Sequence, residues 1–246
     1  MSGCVPEPHP ISVIVPTRDR PRGLERLLGS IDRLSGTLPS EVIVVDDGSR
    51  TSPTQDVITS WLQGVHPYRA RLITEPMSRG PGHARNRGAK AARHEILAFI
   101  DDDCVPAPSW LSRMANCLDP CERVAGVGGK VLPLGDDLVS QYYDFHRILD
   151  PPPSLLYLVS ANCCYRRSAL LSVGGYDEEL PWPGGEDIGL SFRLSQAGWK
   201  FGFAPEAIVY HEYRSNPLDF IRTFRNYGRG SRVVTEKAFG PRGGST

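Results

Sequence analysis

The chain lacks any apolar run long enough to cross a bilayer. A membrane-spanning helix needs about 20 consecutive apolar residues, and no window of the 246 residues approaches that length. The N-terminal segment also lacks the basic and then apolar pattern of a signal peptide. We therefore expect a soluble, cytoplasmic protein, whose contact with a membrane, if it has one, is peripheral.

Cysteine spacing and charge exclude further classes of protein. The six cysteines form no C-x-x-C pair and have no histidine at zinc-finger spacing, so neither a structural zinc site nor a redox motif is expected. The formal charge is zero, from 28 basic and 28 acidic residues, and this balance is not typical of a nucleic-acid-binding protein. We expect no nucleic-acid partner. The length fits one large domain.

Glycine-rich phosphate loops are missing from the places where nucleotide-binding folds carry them. The segment after the first predicted strand is Pro-Thr-Arg-Asp-Arg (16–20) instead of a G-x-G-x-x-G turn, and no G-x-x-x-x-G-K-[ST] loop occurs. These absences disfavour a Rossmann dinucleotide site and a P-loop. A sugar-1-phosphate nucleotidyltransferase remains an alternative, although the chain has no lysine before Lys90 to supply the expected phosphate loop.

The first hundred residues contain a regular alternation of short apolar runs and helical segments. The runs are nearly continuously apolar, as in strands covered on both faces, and they span 11–15, 41–45, 71–74 and 95–100. Helical spacing is found at 22–34, 52–63 and 82–92, and small residues leave one side of the last helix nearly bare. We predict a single α/β, Rossmann-like domain with a mainly parallel central sheet flanked by helices.

Three consecutive aspartates, Asp101, Asp102 and Asp103, end the fourth run. Adjacent carboxylates repel one another unless a cation lies among them, so the triplet indicates either a divalent metal with a bound phosphate or a solvated acidic turn. The loops after the other runs carry Asp46 and Arg79. All four loops meet at the carboxyl edge of a parallel sheet, where α/β proteins bind ligands. We expect a ligand there with phosphates and a base or sugar.

An ordered series of motifs resembles that of the family 2 glycosyltransferases, which have the GT-A fold. The series runs through Val-Ile-Val-Pro-Thr (13–17), Val-Val-Asp-Asp-Gly-Ser (44–49), Gly-His-Ala-Arg-Asn (82–86), Phe-Ile-Asp-Asp-Asp (99–103), Ala-Asn-Cys-Cys-Tyr-Arg-Arg (161–167), Gly-Gly-Tyr-Asp-Glu (174–178), Gly-Glu-Asp (185–187) and His211. The resemblance implies a nucleotide-sugar-binding half at 11–103 and a smaller acceptor-binding, catalytic half at 104–213. We expect an N-terminal extension at 1–10, a basic helical tail at 214–239 and a disordered end at 240–246.

The function that the resemblance implies is transfer of a hexose from a nucleotide-diphosphate sugar, with a UDP-sugar favoured, by a metal-dependent, inverting enzyme. It implies Asp103 and His211 as ligands of Mn²⁺ or Mg²⁺. The substrate contacts expected with it are Pro16, Thr17, Arg18, Asp46, Arg79, Asp101, Asp102 and Asn162. Trp182 is added as an aromatic surface for a sugar ring, with core packing as its alternative role.

Asp187 is the general base that the resemblance implies, and Glu186 is the second candidate. Apolar residues at helical spacing follow, so Asp187 is alternatively the N-cap of a helix. We expect the helix N-terminus to lower the pKa of Asp187 and to keep it ionised at neutral pH. A non-catalytic nucleotide-sugar-binding protein remains the second alternative function.

Two later segments are expected on the acceptor side. Residues 136–154 are aromatic and contain a proline triplet, which predicts an irregular flap over the acceptor. Residues 217–234 predict an amphipathic helix whose arginines are Arg222, Arg225, Arg229 and Arg232. This helix can lie on an anionic membrane, bind diphosphate or pair with the same helix in a homodimer. The sequence leaves open whether the acceptor is a small molecule, a glycan or a lipid-linked compound.

Overall fold

The computed structural model describes residues 10–118, 123–152, 154–180 and 182–240. Nearly all of the predicted N-terminal extension and of the predicted disordered end lies outside these residues, as do Cys4, Cys121 and Pro153. The strands are β1 (Ile11–Thr17), β2 (Glu41–Asp46), β3 (Arg69–Thr74), β4 (Ile96–Ile100), β5 (Cys104–Pro106), β6 (Val124–Pro133), β7 (Asn162–Arg166) and β8 (Lys200–His211). The helices are α1 (Pro21–Ile31), α2 (Ser52–Leu62), α3 (Pro81–Ala91), α4 (Trp110–Ala115), α5 (Leu138–His146), α6 (Arg167–Ser172), α7 (Glu186–Gln196) and α8 (Pro217–Phe239).

These strands form one sheet in the order β3-β2-β1-β4-β7-β6-β8-β5. The first four strands along the chain are parallel neighbours, and β6 pairs in parallel with β8. Strands β7 and β5 are antiparallel to the strands beside them. Helices α1, α2 and α4 pack on one face of the sheet, and α3, α6 and α7 pack on the other. The predicted α/β architecture with a mainly parallel sheet is therefore confirmed.

Strand periodicity explains why the sheet has a core on each face. Successive side chains of a strand point to opposite faces, so Val13 and Val15 contact the α1 side whereas Ile14 contacts the α3 side. Every residue of β1, β2 and β4 is buried. Strand β3 departs from the prediction that all four runs are covered on both faces, because it lies at the sheet edge and its residues are exposed or half-buried.

Helix α3 lies unusually close to the sheet. A Cβ atom on Gly88 would be 2.5 Å from Cγ2 of Ile14, which is too close for any side chain. This confirms the expected close approach of the small-residue helix. The same proximity buries the polar residues His83, Arg85 and Asn86 of α3, which places a buried guanidinium beside the carboxyl edge of the sheet.

The pairing of β5 with β8 brings the aspartate triplet to His211. Cys104 lies opposite His211 in the antiparallel register of these strands, and the backbone N–H of Glu212 donates to the carbonyl oxygen of Asp103 at 2.9 Å. Asp103 and His211 are far apart in the chain. Their proximity therefore depends on this pairing at the far edge of the sheet.

The segment predicted as an irregular flap contains a regular helix, so that prediction is wrong for 138–146. Asp137 caps α5 by accepting the N–H groups of Val139 and Ser140 at 2.9 and 3.2 Å. Tyr142 then packs edge-on against Phe220 of α8 at 5.3 Å between ring centroids. The N-cap and the aromatic packing stabilise a helix where the proline triplet had indicated irregular structure.

The predicted C-terminal helix is present and extends beyond its predicted end, to Phe239. Among the described residues, no helix combines the length and the apolar character that crossing a membrane requires.

Candidate functional site

Two cavities adjoin at the carboxyl ends of the parallel strands. The strand-edge cavity, of about 330 Å³, is lined by residues of the β1 and β4 loops that include Pro16, Thr17 and Arg18. The helix cavity, of about 250 Å³, lies beside the start of α7 and also touches α8. Arg85 and Asp101 line both cavities, so a ligand that extends from one to the other would pass these two side chains.

Each aspartate of the triplet has a different partner. Asp101 accepts from Nη2 of Arg85 at 2.6 Å, and Asp102 accepts from the Thr17 hydroxyl at 2.7 Å. Asp103 pairs with the guanidinium of Arg20 through one carboxylate oxygen. Three neighbouring carboxylates thus coexist because cationic or hydroxyl donors surround them, as their mutual repulsion requires.

The electrostatic environment separates the pKa values of Asp102 and Asp103. Burial and the carboxylate of Asp103 raise the pKa of Asp102 to about 7. Burial also acts to raise the pKa of Asp103, but His211 and Arg20 outweigh it and hold that pKa below its ordinary value. Of these two carboxyl groups, Asp103 therefore remains ionised more readily.

Asp103 and His211 have the geometry of two ligands of one metal ion. Oδ1 of Asp103 lies 3.3 Å from Nε2 of His211, close to the separation of about 3 Å between adjacent ligands of an octahedral ion with bonds of about 2.1 Å. The imidazole ring stacks on Tyr213 at 4.6 Å, which fixes its orientation. Cys104 is the third group within reach, but its soft sulfur suits Mn²⁺ and Mg²⁺ less well than carboxylate oxygen. The donor set fits a hard divalent cation.

Arg85 is a site residue that the sequence analysis did not single out. Its side chain is buried, and its guanidinium donates to Glu186 at 2.9 Å as well as to Asp101. Arg20, which pairs with Asp103, was also missed as a site residue. The available signal for Arg85 was an arginine within a helix of small residues, and for Arg20 it was position in the loop after β1.

Helix α7 begins at Glu186, and its N-cap is Gly185 at a φ of 98°. The alternative reading of Asp187 as an N-cap is therefore wrong. Glu186 accepts from Arg85 and, at 2.7 Å, from the N–H of Gly184. Asp187 accepts from the N–H of Ile188 at 2.8 Å.

The pKa of Asp187 is raised to about 7 by burial and by the carboxylate of Glu186. Arg85 and the N–H of Ile188 act in the opposite direction and are outweighed. We predicted a lowered pKa, and this prediction is wrong because desolvation disfavours the carboxylate more than the helix N-terminus favours it. A carboxyl group with a pKa near neutrality exchanges its proton readily at that pH.

Helix α8 forms a wall of the helix cavity through Tyr227 and Ser231. Backbone contact with the α7 loop is close, because a Cβ atom on Gly230 would lie 1.8 Å from the carbonyl oxygen of Gly184. The contact requires a glycine at 230. The predicted tail is therefore part of the site.

Two predicted contacts of the loops after β2 and β3 line neither cavity in the described structure. Asp46 is buried and accepts from the N–H of Ser49 at 2.9 Å, while the exposed side chain of Arg79 pairs with Glu178 at 3.6 Å. Asp47 instead lines the strand-edge cavity.

Asn162 and Trp182 are also absent from the described walls of both cavities. The Asn162 amide donates to the carbonyl oxygens of Lys130 and Ala207, each at 2.8 Å, and accepts from Trp110 at 2.8 Å. These three bonds make it a structural link between β7, β6, β8 and α4. Trp182 is partly buried, and its neighbour Pro183 lines both cavities.

Three known proteins show the relationships of the chain. It is similar to a pre-mycofactocin glycosyltransferase of Mycobacterium tuberculosis, with 34% identity over 235 residues, which are 91% of this chain and 47% of that protein. The chain thus spans about half the length of that relative. Mannosyltransferase PcManGT from Pyrobaculum calidifontis, solved with GDP-Man and Mn²⁺, gives a TM-score of 0.73 at 22% identity over 96% of this chain and 66% of that one.

GalNAc-T7, solved with UDP, GalNAc and Mn²⁺, gives a TM-score of 0.71 at 19% identity over 93% of this chain and 48% of that one. These two likenesses confirm the predicted GT-A fold. A sequence profile described as "Glycosyl transferase family 2" matches residues 12–173. The chain belongs to glycosyl transferase family 2.

Proposed function

We propose that this chain transfers a hexose from a nucleotide-diphosphate sugar to an acceptor hydroxyl, with inversion at the anomeric carbon and with Asp187 as the general base. One observation carries the proposal. The Asp103–His211 pair and Asp187 lie at adjoining cavities that share Arg85 and Asp101. A donor held in the strand-edge cavity would thus present its sugar toward the carboxylate of Asp187 in the helix cavity.

The strand-edge cavity supports the donor assignment. Arg18, Arg20 and Arg214 contribute to its walls together with the aspartate triplet. Guanidinium groups bind phosphate oxygens well, and carboxylates accept from the hydroxyls of a ribose or hexose. The two solved structures compared above contain GDP-Man and UDP with GalNAc, so both nucleotides are candidates, and we favour a UDP-sugar.

Asp103 and His211 would hold a divalent ion, with Mn²⁺ or Mg²⁺ as the candidates. When bound, such an ion neutralises charge that develops on a diphosphate leaving group. Arg20 already neutralises the other oxygen of Asp103 and lies in the same cavity. The protein therefore supplies a cationic side chain next to the proposed ion.

Asp187 supports the base assignment better than Glu186. Both oxygens of Glu186 are engaged, one by Arg85 and one by the N–H of Gly184, so neither is free to accept a hydrogen bond from an acceptor without losing one of these donors. Asp187 has a pKa of about 7, which suits proton transfer near neutral pH. In the proposed step the acceptor oxygen bonds to the anomeric carbon while the bond to the diphosphate breaks. The hydroxyl proton moves to Asp187, and the bonding electron pair leaves with the nucleoside diphosphate.

The test combines donor binding with turnover. UDP- and GDP-sugars with Mn²⁺ or Mg²⁺ are screened by thermal shift, because a ligand at about 100 times its Kd stabilises the folded chain by about 2.7 kcal/mol. Donor hydrolysis and transfer are then measured for the wild type and for Asp187→Asn. We expect the variant to keep the thermal shift and to lose turnover by at least about a hundredfold.

Two results would contradict the proposal. Turnover that survives Asp187→Asn removes Asp187 as the base, and donor binding without any turnover in the wild type favours the non-catalytic binding protein.

Pre-mycofactocin, the compound in the name of the Mycobacterium tuberculosis relative, is the first acceptor to include in the transfer measurements.

A further inference from the structure

We propose that the acceptor is a small alcohol carried on an apolar body, rather than a free sugar. The inference rests on the proposed function, since it concerns the hydroxyl compound that Asp187 would deprotonate. The helix cavity is the place where such a compound would bind, because Asp187 and Glu186 both contribute to its wall.

The walls of the helix cavity away from its carboxylates are largely apolar. They come from four separate parts of the chain, namely the segment after α5, the loop before β7, the first turns of α7 and the inner side of α8. The side chains concerned are Ile148, Leu149, Tyr157, Val159, Ile188 and Tyr227. Such a surface gains free energy by removing apolar ligand area from water.

The polar groups in these walls are mostly engaged within the protein. The hydroxyl of Ser160 donates to the Tyr176 hydroxyl at 3.2 Å, and Glu186 accepts from two donors. Asp187 accepts through Oδ1 from its own helix, which leaves Oδ2 for a ligand among the described contacts. The lining also contains Arg85 and His211, whose Nε and Nδ1 atoms have no partner among the described residues. A hexose brings more hydroxyls than these groups can pair, and unpaired buried hydroxyls are disfavoured.

Cavity size indicates that the acceptor is small. The volume of about 250 Å³ lies just below the range of about 300–1,000 Å³ that is common for small-molecule sites. It suits one ring with a short substituent. An acceptor of this kind would place one hydroxyl at Asp187 and its apolar body against Leu149 and Tyr157. It would thus match both the carboxylate and the apolar wall of the helix cavity.

The test compares two acceptors that offer the same nucleophile on different bodies. Benzyl alcohol and methyl α-D-glucopyranoside both carry a primary hydroxyl, but only the first is apolar. With the donor and metal identified by the binding screen, we expect transfer to benzyl alcohol with a kcat/KM at least about tenfold higher than transfer to the glucoside. Donor hydrolysis without acceptor is measured in parallel.

A pair of leucine substitutions locates the apolar contact. Leu149→Asn places an amide in the cavity wall, whereas Leu156→Asn changes a leucine of the nearby loop that is 67% exposed. We expect Leu149→Asn to lower kcat/KM for benzyl alcohol about tenfold through KM, with donor hydrolysis retained. Leu156→Asn should leave both quantities unchanged.

The outcomes separate this inference from the function beneath it. Equal or better transfer to the glucoside overturns the apolar acceptor and leaves the transferase intact. Donor hydrolysis without transfer to either alcohol, or an unchanged KM in Leu149→Asn, also overturns it. Absence of both hydrolysis and transfer contradicts the proposed function itself.

A second observation, independent of the first, concerns the outward side of α8, from which we infer contact with an anionic membrane surface. At about 100° per residue, one side of the helix carries an exposed stripe that consists of Leu218, Ile221, Arg222, Arg225, Arg229 and Arg232. Leu218 is 71% and Ile221 is 62% exposed. Leu138 and Phe145 of α5, a helix whose Tyr142 packs against α8, are also exposed.

The structure favours a membrane over the other two partners considered for α8, which are a diphosphate and the same helix of a second copy. The α8 residues that line the helix cavity are Tyr227 and Ser231, and no residue of α8 lines the strand-edge cavity in the described structure. The four arginines therefore do not contact a diphosphate in either cavity. Pairing with the same helix of a second copy would place arginine stripes against each other, which is repulsive. Apolar side chains beside arginines instead match the acyl and headgroup layers of an anionic bilayer.

Vesicle sedimentation tests this surface with the protein alone. We expect binding to vesicles of phosphatidylcholine with phosphatidylglycerol, weak binding to phosphatidylcholine alone, and loss of binding at high salt. The double variant Arg225→Glu, Arg229→Glu should reduce the partition coefficient at least about tenfold. The control Arg50→Glu, Arg69→Glu makes the same charge change at exposed residues elsewhere, so it has the same net charge as the first double variant. It should bind to the vesicles like the wild type.

Equal binding to both vesicle types, or binding that both double variants reduce equally, would overturn the membrane assignment. A concentration-dependent dimer in solution that Arg225→Glu, Arg229→Glu disrupts would instead identify a second copy of the chain as the partner.

Discussion

At the scale of single residues, Asp187 is half-buried beside the carboxylate of Glu186, and desolvation and that charge both raise its pKa to about 7. The base form is present above that pH, so kcat/KM should rise with pH through about 7 and level off above it. A profile that is flat from pH 5 to pH 9 would contradict the assignment, because no group of this pKa would then control the reaction.

The same pKa makes folding stability depend on pH. The pKa of Asp187 is higher in the folded chain than the value of about 3.9 expected in the unfolded chain, so the folded state holds the extra proton between these values. The contribution of Asp187 to stability therefore falls as pH rises from about 4 to 7. Between pH 5 and pH 8, the free energy of unfolding of the wild type should fall by on the order of 2 kcal/mol more than that of Asp187→Asn. Urea unfolding at the two pH values measures this difference.

Loss of the Arg85 side chain should lower the free energy of unfolding strongly. Its guanidinium offsets the charges of Asp101 and Glu186, and removal of one partner from a buried ion pair costs about 3–5 kcal/mol. Arg85→Met should show this loss in urea unfolding. It should also move the pH midpoint of kcat/KM upward, because Arg85 lowers the pKa of Asp187.

Arg87→Met is the matched control on α3. The Arg87 side chain is 47% exposed and pairs with Glu75, and exposed ion pairs contribute at most about 1 kcal/mol. Equal destabilisation by the two substitutions would show that Arg85 has no special electrostatic role.

At the scale of elements, α8 controls the position of the α7 start. Gly230→Ala should separate α8 from the loop at Gly184, because the new Cβ would lie 1.8 Å from that carbonyl oxygen. Overpacking of this kind costs about 1–3 kcal/mol, and turnover should fall as well, because the loop leads directly to Asp187. Thermal unfolding and kcat/KM are the measurements.

Gly228 supplies the control within the same helix. A Cβ at 228 meets no atom within 4 Å, and replacement of a helical glycine by alanine stabilises by up to about 1 kcal/mol. Gly228→Ala should therefore be neutral or stabilising. If Gly230→Ala behaves in the same way, the close contact between α8 and the α7 loop does not matter for the protein.

At the scale of the whole molecule, the proposed metal would join the loop between β4 and β5 to the end of β8. Asp103 follows β4 in the parallel half, and His211 ends β8 beside the far edge strand. Stabilisation by UDP or GDP should therefore require Mn²⁺ or Mg²⁺, and His211→Ala should reduce that metal-dependent thermal shift to less than half. A shift that chelator and His211→Ala leave unchanged would mean that nucleotide binds without this pair.

Local pattern was sufficient for much of the fold. The first four strands begin or end within two residues of their predicted limits, because continuous β-branched runs bounded by polar loops are a local signal. The α5 helix was missed, because its stability depends on packing against α8 as well as on its cap at Asp137. The contact of Asn162 with substrate stays a prediction, and the three partners that its amide has in other elements could be seen only in the tertiary structure.

The sequence by itself determined the order of the motifs, the parallel strands and the position of the aspartates at a strand end, since each follows from neighbouring residues. Tertiary structure alone decided which partners those residues have. The pair of Asp103 and His211, the two carboxylates on Arg85 and the raised pKa of Asp187 all depend on contacts between distant segments. Burial and charge arise from the three-dimensional surroundings of a side chain, and a local pattern in the chain does not encode them.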